Sequence, residues 1–92
     1  MTTATVGEPV TIELAATPTT GYQWRSVDPP AALALIDHGF TPAGASPGDG
    51  GVQWFRFQAR EVGRFTLAFV LKRAWEDDPV NSQTVVVEVR AA

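Results

Sequence analysis

The sequence predicts an all-β fold, and three observations carry that prediction. Apolar and polar residues alternate with period two in several separate runs, turn-forming residues punctuate those runs at regular intervals, and no stretch shows a sustained helical period. Thr2–Val6 is short and β-prone, and Gly7 interrupts it. In the next run Val10, Ile12 and Leu14 alternate with Thr11 and Glu13, the pattern of a strand with one buried face. Residues 16–21 form a loop. Tyr22–Val27 is read as the following strand, with Tyr22 and Trp24 on one face and Trp24 in the core.

Asp28-Pro29-Pro30 is a turn, because proline donates no ladder hydrogen bond. The apolar run 31–36 fits either a short helix or a strand, and a strand over Leu33–Phe40 is the reading adopted. Residues 42–51 hold four glycines and two prolines, which predicts a long loop without a regular element. Val52–Ala59 sets Phe55, Phe57 and Ala59 against Trp54, Arg56 and Gln58. A tight turn at 60–63 leads to Phe65, Leu67, Phe69 and Leu71, and the two runs read as a β-hairpin. Polar residues 73–81 precede a last strand with Val85, Val87 and Val89 on one face. The sum is an immunoglobulin-like antiparallel β-sandwich of about seven strands.

A chain of 92 residues suits one domain, spanning 1–92, and can bury a single core without cross-links. There is no cysteine, hence no disulfide, no thiolate nucleophile and no Cys-ligated metal. Seven basic and ten acidic side chains give a net charge of −3, with the basic ones dispersed, so nucleic acid is not an expected partner. No run approaches the roughly 18 apolar residues of a membrane helix, and no membrane partner is expected. The first residues carry no export signal. That predicts a cytoplasmic protein if Met1 is native, and a periplasmic or secreted one if a signal was removed. A monomer is the default.

Consecutive antiparallel strands reverse the chain at each turn, so alternate loops collect at one end of a sandwich. Counted from Val10–Leu14, the first, third and fifth loops are 16–21, 42–51 and 73–81. One end thus gathers Thr17-Pro18-Thr19-Thr20-Gly21-Tyr22, Gly48-Asp49-Gly50-Gly51 and Arg73-Ala74-Trp75. An exposed Trp beside an Arg, flanked by glycines and threonines, has the composition of a protein-binding hot spot. The alternative is that Trp75 folds back and caps the sandwich.

Together the three segments resemble the motifs of the chagasin-like inhibitors of papain-type cysteine peptidases. That family pattern runs Asn-Pro-Thr-Thr-Gly-aromatic, then Gly-x-Gly-Gly, then Arg-Pro-Trp, in this order on a β-sandwich. Thr17–Tyr22 matches at five of six positions, Gly48–Gly51 matches throughout, and Arg73 and Trp75 match around an alanine. The resemblance implies a three-loop wedge that fills the cleft of a papain-type, cathepsin L-like cysteine peptidase. In it Thr19, Thr20 and Gly21 would lie over the catalytic cysteine, and the loops with Gly50 and Trp75 would grip either side. No cofactor is implied. Two departures bear on affinity: Thr17 stands for asparagine and lacks its amide, and Ala74 stands for proline and leaves φ free before Trp75.

Other functional classes fit the sequence less well. Ser26, Ser46 or Ser82 with His38 and Asp37 could be assembled into a hydrolytic triad, but no serine has the surroundings of an activated nucleophile. Glu76-Asp77-Asp78 lacks the alternating ligand spacing of a calcium loop and reads as a solvated face. A surface or carbohydrate-binding module of immunoglobulin type would instead use exposed Trp54 and Trp75.

Overall fold

The computed structural model describes residues 2–92, without the side chains of Pro18 and Pro47. Met1, within the expected domain, and the side chain of Pro18, a candidate site residue, lie outside the described residues. Seven strands form: β1 (Thr2–Thr5), β2 (Pro9–Ala16), β3 (Tyr22–Val27), β4 (Leu33–Pro42), β5 (Gly51–Ala59), β6 (Gly63–Arg73) and β7 (Asn81–Arg90). One sheet has the order β1-β7-β6-β3 and the other β2-β5-β4. Of the ambiguous run 31–36, Ala31 and Ala32 form a turn and the strand begins at Leu33, which is fully buried.

The expected hairpin between Val52–Ala59 and Phe65–Leu71 does not form. β5 pairs with β2 and β4, and β6 pairs with β3 and β7, so the chain crosses from one sheet to the other at residues 60–62. The reason lies in the apolar faces. Phe55 and Phe57 on β5 and Phe69 on β6 meet face to face across the layers, with ring centroids 5.0 Å apart for Phe55–Phe69 and 6.3 Å for Phe57–Phe69. Alternation fixes which face of a strand is apolar. It does not say whether the next strand lies beside that strand or over it. The two hairpins that do form are β4–β5 and β6–β7, and their loops are the two long ones.

A second difference concerns β1, which pairs parallel to β7, Thr2 opposite Val87, in an otherwise antiparallel fold. Gly7, at φ 88°, lets the chain leave β1 and enter β2 in the other sheet. The crossing sets the opening strand beside the closing one.

The core follows the alternation closely. Val10, Ile12, Leu14 and Ala16 of β2 are buried while the residues between them are exposed. Leu67, Phe69, Val87, Phe57 and Leu33 are sealed from solvent. Trp24 is buried as predicted, and its indole N–H donates to the Ala15 carbonyl at 2.9 Å, which satisfies its one polar group inside the sandwich. Trp54, expected to be exposed, is half-buried on the outer face of the three-stranded sheet. Its ring lies against Gly39, where a β-carbon would come within 2.5 Å of the indole, and the Arg56 guanidinium sits 5.2 Å from the ring centre. No helix among the described residues is long and apolar enough to cross a membrane.

Candidate functional site

Three loops converge at one end of the sandwich, as strand parity requires. Loop 1, residues 17–21, crosses from β2 in one sheet to β3 in the other. Loop 2, residues 43–50, closes the β4–β5 hairpin, and loop 3, residues 74–80, closes the β6–β7 hairpin. The central member is loop 1.

A 3-10 turn at Pro18–Thr20 shapes that loop. The Thr20 N–H donates to the Thr17 carbonyl at 3.1 Å, and the Thr20 hydroxyl donates to the same carbonyl at 2.8 Å. That hydroxyl also accepts the Tyr22 N–H at 3.4 Å. Thr20 thereby supplies local bonding of the kind that an asparagine amide at position 17 would offer. Thr19 and Thr20 are exposed at the tip. Gly21 follows at φ 85°, a conformation that strains any residue with a β-carbon.

Loop 2 is better ordered than its glycine content suggests, and the prediction that it lacks any regular element needs correction. Pro47–Asp49 forms a 3-10 turn, closed by the Asp49 N–H to the Ser46 carbonyl at 3.0 Å. The Asp49 carboxylate accepts the Ser46 N–H at 3.2 Å, so this acidic side chain braces its own loop. The Ala43 N–H donates to the Gly50 carbonyl at 2.9 Å and closes the loop at its base. Gly50 is buried at φ 72°. A β-carbon there would stand 3.0 Å from the Ala16 carbonyl oxygen and 3.1 Å from the Thr17 hydroxyl. Gly50 thus packs closely against the end of β2 and the Thr17 side chain of loop 1. Gly48 lies open, and Gly51 belongs to β5, opposite Ala16 and Pro42.

Loop 3 carries the largest exposed side chain of the site. Trp75 is 73% exposed, which excludes the reading in which it caps the sandwich. One edge of its ring reaches toward loop 1, with Cη2 3.3 Å from where a β-carbon on Gly21 would stand. Arg73 holds it there. The guanidinium carbon lies 4.4 Å from the Tyr22 ring centre and 5.7 Å from that of Trp75, and Nη1 meets the Glu76 carboxylate at 3.4 Å. Arg73 is thus a splint between two aromatic rings, held by Glu76. In the sequence Arg73 is only a member of the third motif, and Glu76 reads as part of a solvated face. Only the register Tyr22 opposite Arg73 brings these groups together. The Arg73 Nε is buried without a hydrogen-bond partner. Ala74 is exposed, in a turn closed by the Glu76 N–H to the Arg73 carbonyl at 3.1 Å.

Between loops 1 and 2 lies an open depression of about 510 Å³, lined by Ala16, Thr17, Thr20, Tyr22, Asp49 and Gly50. The serines considered for catalysis do not form a triad. Ser26 lies on β3, Ser46 on loop 2 and Ser82 on β7, while His38 sits on β4 with its ring stacked on Phe55 at 6.4 Å. The Asp37 carboxylate accepts the backbone N–H of His38, and among the described residues no hydrogen bond joins it to the imidazole ring. No group of three or more acidic or histidine side chains among the described residues is placed to hold a metal ion.

A seven-stranded sandwich with one end built of three touching loops and an exposed Trp defines a loop-presenting binding scaffold. The particular lineage follows from comparison with known proteins: residues 3–89 match the chagasin family of peptidase inhibitors, I42, and the chain belongs to that family. The family is one of inhibitors and not of enzymes. The chain is similar in structure to the cysteine protease inhibitor EhICP2 from Entamoeba histolytica. The two share 24% identity at a TM-score of 0.75, over 97% of this chain and 84% of that one. It is also similar to amebosin in solution, at 26% identity and a TM-score of 0.67, over 98% of this chain and 86% of that one. Comparison with the curated proteins gave no match.

Proposed function

We propose that this chain is a reversible inhibitor of papain-type cysteine peptidases, acting as a monomeric single domain over residues 1–92. Thr17–Tyr22 is the central element inserted into the cleft, flanked by Gly48–Gly51 on one side and Arg73-Ala74-Trp75 on the other. The observation that carries this reading is the contact of loop 1 with both neighbours, Gly50 against Ala16 and Thr17, and Trp75 against Gly21. A row of adjoining loops of this kind suits a cleft, and its members have separate duties. Glycine backbone allows close approach, Trp75 supplies a rigid apolar anchor, and the Thr19 and Thr20 side chains present a short polar tip. Such a wedge resists cleavage because its central turn need not present a carbonyl in the near-attack geometry of hydrolysis.

A cathepsin L-like enzyme is the proposed target class within the papain type. Steady-state inhibition of papain and of a cathepsin L-type enzyme tests the proposal, with a trypsin-type serine peptidase as control. Reversible inhibition confined to the cysteine enzymes is expected. Absence of inhibition of both cysteine enzymes at micromolar inhibitor overturns it.

A further inference from the structure

Gln53 occupies a position that the alternation reserves for apolar side chains. It shares the inward face of β5 with Phe55, Phe57 and Ala59, at the end nearest the loops. An inward amide is costly unless its donor and acceptor are both used. Both are used here, on one residue of the opposite sheet. The Gln53 Oε1 accepts the Trp24 N–H at 2.7 Å, and the Gln53 Nε2 donates to the Trp24 carbonyl at 3.3 Å. β3 is an edge strand, and the Trp24 N–H and carbonyl are both engaged by Gln53. The Gln53 amide takes the place of the neighbouring strand that β3 lacks.

The location matters for the site. Loop 2 is attached at both ends to the three-stranded sheet and loop 3 at both ends to the four-stranded one, and loop 1 alone links the sheets at this end. The spacing of loops 2 and 3 is therefore a spacing between sheets. Apolar contact is non-directional and constrains the lateral offset of two layers only through the close packing of their side chains. Directional bonds can fix it. Among the described residues, the side-chain hydrogen bonds that cross between the sheets all involve Trp24: the two from Gln53, and the indole N–H to Ala15.

We infer that Gln53 is a positioning residue, which sets the distance between the glycine loop and the Trp75 loop by fastening β3 to β5. It touches the wedge only through the strands that carry it. Its effect on inhibition rests on the proposed function above, whereas its effect on loop spacing does not.

The absence of cysteine from the chain makes a direct test practicable. Spin labels are placed on Gly48→Cys in loop 2, where the structure leaves open space, and on exposed Asp77→Cys in loop 3. Their distance distribution is measured by pulsed electron resonance with native Gln53, with Gln53→Met and with Gln53→Glu. A narrow distribution is expected for the native residue, and a broadened or displaced one for Gln53→Met, which keeps the volume and loses both bonds. Gln53→Glu retains the acceptor for the Trp24 N–H and is expected to fall between them. In unlabelled proteins, at temperatures where circular dichroism shows the fold intact, the Gln53→Met inhibition constant against papain should rise about tenfold, through faster dissociation.

A Gln53→Met distribution superimposable on the native one, with only the melting temperature lowered, overturns the inference and leaves Gln53 a stabilising residue. If Gln53→Met does not fold, the same two readouts on Gln53→Glu decide, and an unchanged distribution there overturns it equally. A broadened distribution in a protein whose native form inhibits no cysteine peptidase would uphold the positioning role while refuting the proposed target class.

Discussion

Replacing Trp75 with alanine isolates the contribution of the anchor, because the free protein invests little of its own stability in that ring. The side chain is 73% exposed, so of the roughly 250 Å² that a Trp can bury, about 180 Å² is available to a partner. At about 25 cal/mol per Å² full burial is worth ~4.5 kcal/mol, and ordering the side chain offsets about 0.5–1.5 kcal/mol of this. Incomplete burial lowers the remainder, and a loss of ~2–4 kcal/mol is expected. The inhibition constant against papain should therefore rise about 30- to 900-fold. The internal cost is the stack on Arg73, about 0.5–1 kcal/mol, so the melting temperature should fall by no more than about 8 °C. Trp54→Ala is the matched control. That ring is half-buried under Arg56 on the outer sheet face, and its removal should change inhibition less than about twofold. The assay is progress-curve inhibition of both variants beside differential scanning calorimetry. An inhibition constant for Trp75→Ala within threefold of the native value, or equal losses for the two variants, would refute the assignment of Trp75 as anchor.

Three further outcomes are expected. Gly50→Ala places a β-carbon 3.0 Å from the Ala16 carbonyl at a φ of 72°, so loops 1 and 2 must separate. Stability should fall by about 1–3 kcal/mol in urea titrations, with a parallel loss of inhibition. Ala74→Pro installs a proline at the second position of the Arg73–Glu76 turn, where a fixed φ near −65° is favoured. Tighter inhibition by about two- to fivefold, read in the same assay, corresponds to ~0.4–1 kcal/mol of reduced loop freedom. Trp24→Phe removes the indole N–H that serves the Ala15 carbonyl, and chemical denaturation should show a loss of about 1–3 kcal/mol.

Much of this protein was legible in the chain alone. Period-two patterning is a local property, since successive side chains of any strand point to opposite faces, so the strands, their buried faces and the core position of Trp24 could be read residue by residue. The end at which each loop emerges is equally local in origin, being a matter of counting reversals. That count, joined to the three motifs, is enough to gather Thr17–Tyr22, Gly48–Gly51 and Arg73–Trp75 at one end.

Pairing is different, because it is a choice among partners far apart in sequence. Phe55, Phe57 and Phe69 look the same to an alternation rule whether their strands lie side by side or back to back, and burial against the opposite layer chose the latter. The same holds for the site's internal supports. Arg73 reaches both Tyr22 and Trp75 only because β3 and β6 pair in one register, and Gln53 finds the main chain of Trp24 only because two sheets meet there. A sequence of 92 residues determines the faces and loops by short-range sterics and hydrophobic period. Tertiary packing decides which of those faces and loops touch, since the energy that selects a partner is released only when distant segments have already met.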